Sequence, residues 1–469
     1  MLSPLPTRSA LARVIFAAVL AVFVGLAPAQ DDDPFAGPLP PSNAKHWKDL
    51  TALIERAQPE AVRGKTDAPN GFVLLRALGE KVEAERQARA STEAGAMPYN
   101  FDAIARPSPD TAGDVEAARR GLEAYEKLGF FDAIDEIGRA QRVVRPASEG
   151  ALISVLLPDM GRARTLTRAL AARFEIALAD GRPADAVREF DRMLILARVP
   201  AFGPTLIERL VATAIAARAT DHLRGAILAG KLGPAELQAA ARSMVARLGD
   251  WPTMALAIEG ERLMALDAID IVYSSAEGKP QDRPNLRRLA VIQSMSVPAG
   301  ADEASPQAEG LATAAELRER ADMLFAQLVR AAKLPRPQRT GENSLVSKES
   351  LTSRDLLLQI LLPAMGKALQ SADHFATDCA ATETIIALER FRARTGAYPE
   401  ALAALVPAEL AAQPIDAWSG ASLRYRREGA SYRLYAVGLD GRDDGGKGDP
   451  ADPFRAVLPA GAGLDYVYR

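Results

Sequence analysis

Residues 164–198 read RTLTRALAARFEIALADGRPADAVREFDRMLILAR, and this stretch decides the fold. Arg164 to Ala179 predicts one helix, Asp180-Gly181-Arg182-Pro183 a turn, and Ala184 to Arg198 a second helix. The glycine suits a helix C-terminus and the proline a helix N-terminus, where no amide donor is missed. Working outward, Leu206, Ile207, Leu210, Val211, Ala214 and Ile215 recur at i, i+3, i+4 spacing after Gly203-Pro204. That spacing predicts a helix with one buried face, opening at Pro204. Further helices are expected from Asp114 to Lys127, Pro234 to Arg247, Trp251 to Tyr273 and Ala314 to Lys333. The composition agrees: 48% of residues are hydrophobic but only 6% aromatic, and alanine is abundant, which favours close-packed helices over sheet faces. The 57 Lys+Arg against 60 Asp+Glu leave no basic field, so no nucleic-acid partner is expected.

The hairpin at 164–198 is similar to a tetratricopeptide pair, but no second copy follows at that repeat's spacing of about 34 residues, so a compact bundle is expected. An internal echo pairs SVLLPDMGRA (154–163) with QILLPAMGKA (359–368), six of ten positions identical at an offset of 205. Leu-Leu-Pro is a common way to stop one buried helix and restart another, which accounts for the echo without a duplicated docking element. Ser274–Glu309 and Pro335–Lys348 are rich in Pro, Gly, Ser and charge and read as loops. The expected organisation is therefore a leader at 1–29, a linker at 30–43, a helical bundle at 44–334, a linker at 335–350 and a small α+β unit at 351–469.

The leader has the parts of an export signal: Arg8 and Arg13, an apolar run from Val14 to Leu26, and Ala27-Pro28-Ala29 before Gln30. Thirteen apolar residues fall short of the roughly 20 that span a bilayer as a helix. Export with cleavage is expected, to the periplasm or beyond, and no membrane span after cleavage; the other reading is an uncleaved N-terminal anchor. The one cysteine, Cys379, excludes an internal disulfide, so packing or an ion must hold the exported chain together.

Catalytic patterns are sparse. Three histidines, His46, His222 and His374, leave few ligands for metal chemistry; His46 and His222 have no Ser, Cys or carboxylate partner at motif spacing, and no Gly-x-Ser-x-Gly, His-Glu-x-x-His or phosphate-cradling loop occurs. Glu208, Glu259 and Glu261 fall on expected helices beside Arg209 and Arg262. Carboxylates inside a bundle serve as acid/base groups or metal ligands, yet a carboxylate-bridged metal bundle would need Glu-x-x-His, which is absent; ion pairs at helix crossings are the expected role.

From Ala364 to Arg394 a long helix is expected, then a break at Gly396-Ala397-Tyr398-Pro399, a short helix at Glu400–Val406 and a turn at Asp416-Ala417-Trp418-Ser419-Gly420. Ser422–Arg427 and Ser431–Val437 form a hairpin, and Asp465-Tyr466-Val467-Tyr468 a last strand. Between them Asp440, Asp443, Asp444, Asp449 and Asp452 lie within thirteen residues, spaced by glycines. Calcium takes about 6 to 8 oxygens, and such a cluster is either bridged by a cation or a solvated acidic turn. Arg442 and Ala451 at positions three and twelve exclude an EF-hand.

This order of pieces, Thr395-Gly396-Ala397-Tyr398-Pro399, Leu402–Pro407, Pro414–Gly420, a Tyr-rich hairpin and Gly438-Leu439-Asp440-Gly441 with Gly445-Gly446, resembles the globular end of the type II secretion major pseudopilin. The resemblance covers about residues 364 to 469 and implies a long helix laid on a short antiparallel sheet, with calcium in the loop. It maps the first ligand onto Asp440 and leaves Asp443, Asp444, Asp449, Asp452 and Asp465 as the other candidates. The helix stands some 360 residues into the chain behind Leu356–Leu362 and Pro363, so the resemblance does not extend to a filament subunit. The expectation is a mainly α, non-enzymatic scaffold with protein partners at the cell envelope; the alternative is an exported hydrolase with a carboxylate-lined site among Glu208, Glu259 and Glu261.

Overall fold

Helix follows helix from Ala44 to Ala332 in the computed structural model, which describes residues 39, 44–92, 101, 112–146, 150–154, 158–275, 278–296, 310–339, 351–362, 365–438, 440–447 and 465–469. The expected leader at 1–29, Pro363, Asp449 and Asp452 lie outside the described residues. In chain order the helices are α1 (Ala44–Ala57), α2 (Gly71–Thr92), α3 (Ala112–Lys127), α4 (Phe130–Arg139), α5 (Pro158–Ala179), α6 (Pro183–Ala201), α7 (Leu206–Leu228), α8 (Pro234–Leu248), α9 (Met254–Val272), α10 (Leu286–Ser296) and α11 (Ala314–Ala332). After a linker come α12 (Leu356–Leu361), the long α13 (Met365–Thr395), a 3-10 turn at Leu402–Leu405, and the strands β1 (Arg424–Glu428), β2 (Ser431–Ala436) and β3 (Tyr466–Val467). The chain is thus mainly α with a small antiparallel sheet near its C-terminus.

The deciding hairpin forms as its residues dictate. Gly181 sits at φ +70, the Arg182 amide reaches back to the Ala177 carbonyl at 2.8 Å and the Gly181 amide to Leu178 at 3.2 Å, closing α5 with a left-handed cap. Pro183 then opens α6. The start of α7 differs from expectation. Pro204 lies before the helix, and Thr205 is its N-cap: the Thr205 side chain accepts from the Glu208 amide while Glu208 accepts from the Thr205 amide, a reciprocal capping box that outranks proline as a start signal. A second correction concerns Ser274–Glu309, read as loop, which contains α10; Leu289 and Ile292 are buried and the Asn285 side chain accepts from the Arg288 amide at the helix start. The expected helix at Glu400–Val406 tightens to the 3-10 turn.

In the sheet, β1 pairs antiparallel with β2 (Tyr425 opposite Leu434, Glu428 opposite Ser431) and β2 with β3 (Tyr435 opposite Val467). α13 packs against α7, α8 and β2. The apolar core is continuous across the 335–350 linker. One cluster joins Phe174, Phe190, Ile215 and Leu223 of the front to Ile385, Leu388, Leu405 and Leu434 of the tail. A second joins Ile269, Leu324 and Leu328 to Leu358, Leu362 and Leu369.

Candidate functional site

The glycine-rich loop is shaped by its own acids. Gly445 and Gly446 both lie at positive φ (+76 and +74), a conformation that turns their amides inward. Asp465, from the start of the last strand, collects them: its Oδ2 accepts from the Gly446 amide at 2.7 Å and the Asp444 amide at 3.0 Å. Its other oxygen, Oδ1, is buried with no hydrogen-bond partner among the described residues, and the residue is 1% exposed. Burial pushes the Asp465 carboxyl up, and the charges of Asp443 and Asp444 add to that rise.

Asp443 faces the same turn with opposite consequences. It accepts from the Gly445 amide and the Tyr435 hydroxyl, each at 3.0 Å, and from Arg424 at 3.0 Å. The Gly445 amide, foremost, with Arg424 and Tyr435, holds its carboxyl below the ordinary range. Asp440 accepts from the Arg442 amide at 3.0 Å and so stays within its own turn. Asp444 contributes its backbone amide to Asp465. The structure therefore brings Asp443, Asp444 and Asp465 to one turn, with Asp440 at its entrance; Asp449 lies outside the described residues. Among the described residues no group of three or more His, Cys, Asp or Glu side chains has the arrangement of a metal site.

The bundle carboxylates converge on the start of α7. Glu208, fully buried, accepts from the Thr205 amide at 3.0 Å and the Thr205 hydroxyl at 2.7 Å through Oε2. Arg145 lies 3.7 Å from its Oε1. Glu261 reaches across from α9 and accepts from the next amide, Leu206, at 2.7 Å. Burial raises the Glu261 carboxyl to about 7, against the lowering by the Leu206 amide. Glu259 pairs instead with Arg262 at 3.2 Å, and Arg262 continues to Asp322. All three are thus engaged with helix ends or arginines. The shallow crease between α9, α10, α11 and α12 encloses no cavity; it is lined by apolar side chains with Tyr273 and Arg354, and none of these glutamates reaches it.

Each histidine faces a carboxylate far from motif spacing or one turn away. His46 meets Asp270 at 2.7 Å and docks α1 on α9; His222 meets Glu175 at 2.5 Å between α7 and α5; His374 lies 3.4 Å from Asp378 within α13. Sequence reading missed the buried network around Asp378, which accepts from the Tyr468 hydroxyl at 2.8 Å, while Arg224 of α7 donates to Thr382 at 2.7 Å and pairs with Asp221. No local signal marks it, because its members are separated by up to 247 positions. No protein family, curated protein or solved structure matches the chain.

Proposed function

We propose that the chain is an exported scaffold or interaction protein of the cell envelope whose pseudopilin-like C-terminal part holds calcium in the 440–447 loop. The observation that carries the scaffold reading is the use made of the bundle's acids: Glu208 and Glu261 are spent on consecutive backbone amides at the start of α7, and Glu259 on Arg262. A hydrolytic pair would instead point its carboxylates into a recess with one free to exchange a proton with substrate. The export signal at 1–29 supports the address, and the order long helix, turn, hairpin, glycine loop and closing strand supports the pseudopilin comparison. Among the described residues no helix is long and apolar enough to cross a membrane.

For the ion, the support is the Oδ1 of Asp465, which has no partner among the described residues, beside Asp443 and Asp444 in a turn of left-handed glycines. Calcium would supply the missing partner and neutralise like charges there. The test uses the full chain: millimolar calcium is expected to raise its melting temperature, and Asp465→Ala to abolish the rise. An unchanged melting temperature removes calcium from the reading. Cross-linking of the tagged full chain in the native envelope, with recovery of one reproducible protein partner, tests the scaffold role; a purely monomeric, uncross-linked chain in the fraction where it resides counts against it.

A further inference from the structure

The segment that leaves α11 crosses the tail as a strap made of a 3-10 turn, Arg336–Gln338, with an arginine at its start and another just beyond its end. Both arginines address one acid. Arg339 Nη1 lies 2.6 Å from Asp373 Oδ2 and Arg336 Nη1 3.8 Å from the same oxygen, and Asp373 is only 4% exposed. The Arg336 guanidinium also stands over the Trp418 ring, 4.5 Å from its centroid. Pro337 rests on Gly420, where a side-chain carbon would come within 3.0 Å of the proline ring. Trp418 is backed by Tyr466, stacked at 5.6 Å, and is 4% exposed, yet its indole nitrogen is buried with no acceptor among the described residues.

What the strap lacks is apolar anchorage: no residue of the turn is buried, and Pro335, Pro337 and Gln338 face solvent. Among the described residues its contacts to the tail side chains are cation–π contact and charge, the two forces that recognise a guanidinium from any source, while Arg339 also donates to the Leu334 carbonyl at 2.9 Å. A flat aromatic wall and a desolvated carboxylate reached by the same guanidinium form a receptor for arginine in an extended chain. We propose that Trp418 and Asp373 form a binding site for an arginine-bearing extended segment of a protein partner, and that Arg336–Arg339 fills it in the free chain as an internal pseudo-ligand. The inference rests on the reading of the chain as an interaction protein and names the chemistry of one contact. Because the strap is tethered, it competes at a local concentration in the millimolar range, so a partner must bring more than one contact to displace it.

The test titrates two peptides, acetyl-LPRPQR-amide and an unrelated acetyl-GRPGRG-amide, into the full-length Arg336→Gln/Arg339→Gln protein and into the parent, following tryptophan fluorescence. Both peptides are expected to bind the double variant at least tenfold more tightly than the parent, and a further Asp373→Asn substitution to cancel the gain. No binding to the folded double variant at millimolar peptide overturns the proposal and makes the strap a clamp. Should the double variant fail to fold, the parent decides: backbone hydrogen exchange over residues 334–339 must rise several-fold with added peptide, and an unchanged rate overturns the proposal. Cross-linking of the parent chain in the envelope is independent of these readouts, so a lost strap site and a lost interaction role give different patterns.

Discussion

Glu261 shows how a single carboxyl is consumed by architecture. Its oxygen completes the cap of a helix 55 residues away in sequence, and burial first, then the neighbouring charge of Glu208, oppose its ionisation. With the folded group at about 7 and the ordinary value at 4.5, the sign follows directly. The favourable state is the neutral acid, so its contribution is whole below about pH 4.5 and is lost as pH rises through 7. Glu261→Gln keeps an acceptor for the Leu206 amide and removes the ionisation. The variant is expected to match the parent at pH 4.5 and to exceed it at pH 8 by on the order of 2 kcal/mol, discounted for the partial exposure of the site. Denaturant melts at the two pH values check this; equal stabilities at pH 8 would mean that the charge is accommodated. None of this was legible in the chain: Glu261 stands out only as a glutamate beside an arginine, and the amide it serves is chosen by the helix crossing.

The crossing itself is an element-scale fact. α9 meets the start of α7 at Gly260, where an added side-chain carbon would lie 1.8 Å from the Pro204 carbonyl oxygen and 2.7 Å from its carbon. That obstacle is backbone, which cannot rotate away as a side chain would. Gly260→Ala must therefore push α9 off the cap, separating Glu261 from Leu206 and disturbing the Glu208 box, and a loss of at least about 2 kcal/mol is expected, in the upper range for overpacking. Gly225→Ala on α7, where nothing lies within 4 Å, is the control and is expected to hold or gain stability. Thermal melts of the two variants check the contrast, and similar midpoints would refute the backbone clash. Elements were legible where local chemistry decides them. The Gly181 cap, the Pro183 and Pro234 starts, the long α13 and the existence of the hairpin all follow from residues within one turn of the boundary, although Glu428, expected in the turn, pairs with Ser431 and leaves only Gly429-Ala430 between the strands. The start of α7 and the existence of α10 were misread because a polar cap lay behind a more conspicuous proline, and because a short buried stripe lay among loop-like residues.

At the scale of the whole molecule, linker composition at 335–350 suggests a division that the apolar core does not follow. α12 and the first turns of α13 belong to the cluster built on α9 and α11, while the rest of α13 and the sheet belong to the cluster built on α5 through α8. α13 therefore threads both clusters, and the buried Arg224, Asp378 and Tyr468 network ties its middle to α7 and to the closing strand. Sequence periodicity marks a buried face on a helix but not which other helix covers it, so this joint core was out of reach of pattern reading. Its consequence is coupling. Ile385, fully buried in α13, touches no local motif, and Ile385→Ala deletes its buried side chain beyond the β-carbon, a change that costs about 2–5 kcal/mol in well-packed interiors. If front and tail melt as one unit, the far-ultraviolet helix signal, dominated by α1 through α11, and the aromatic signal of Trp418, read in a Trp47→Phe/Trp251→Phe background because those two tryptophans lie in the front, must move down together and by the same number of degrees. A tail that folded alone would give the opposite pattern, an aromatic transition displaced to lower temperature while the helical transition stayed in place. The shared clusters lead us to expect the joint shift, and they place the stability of the 440–447 loop and of the strap under the control of helices that touch neither.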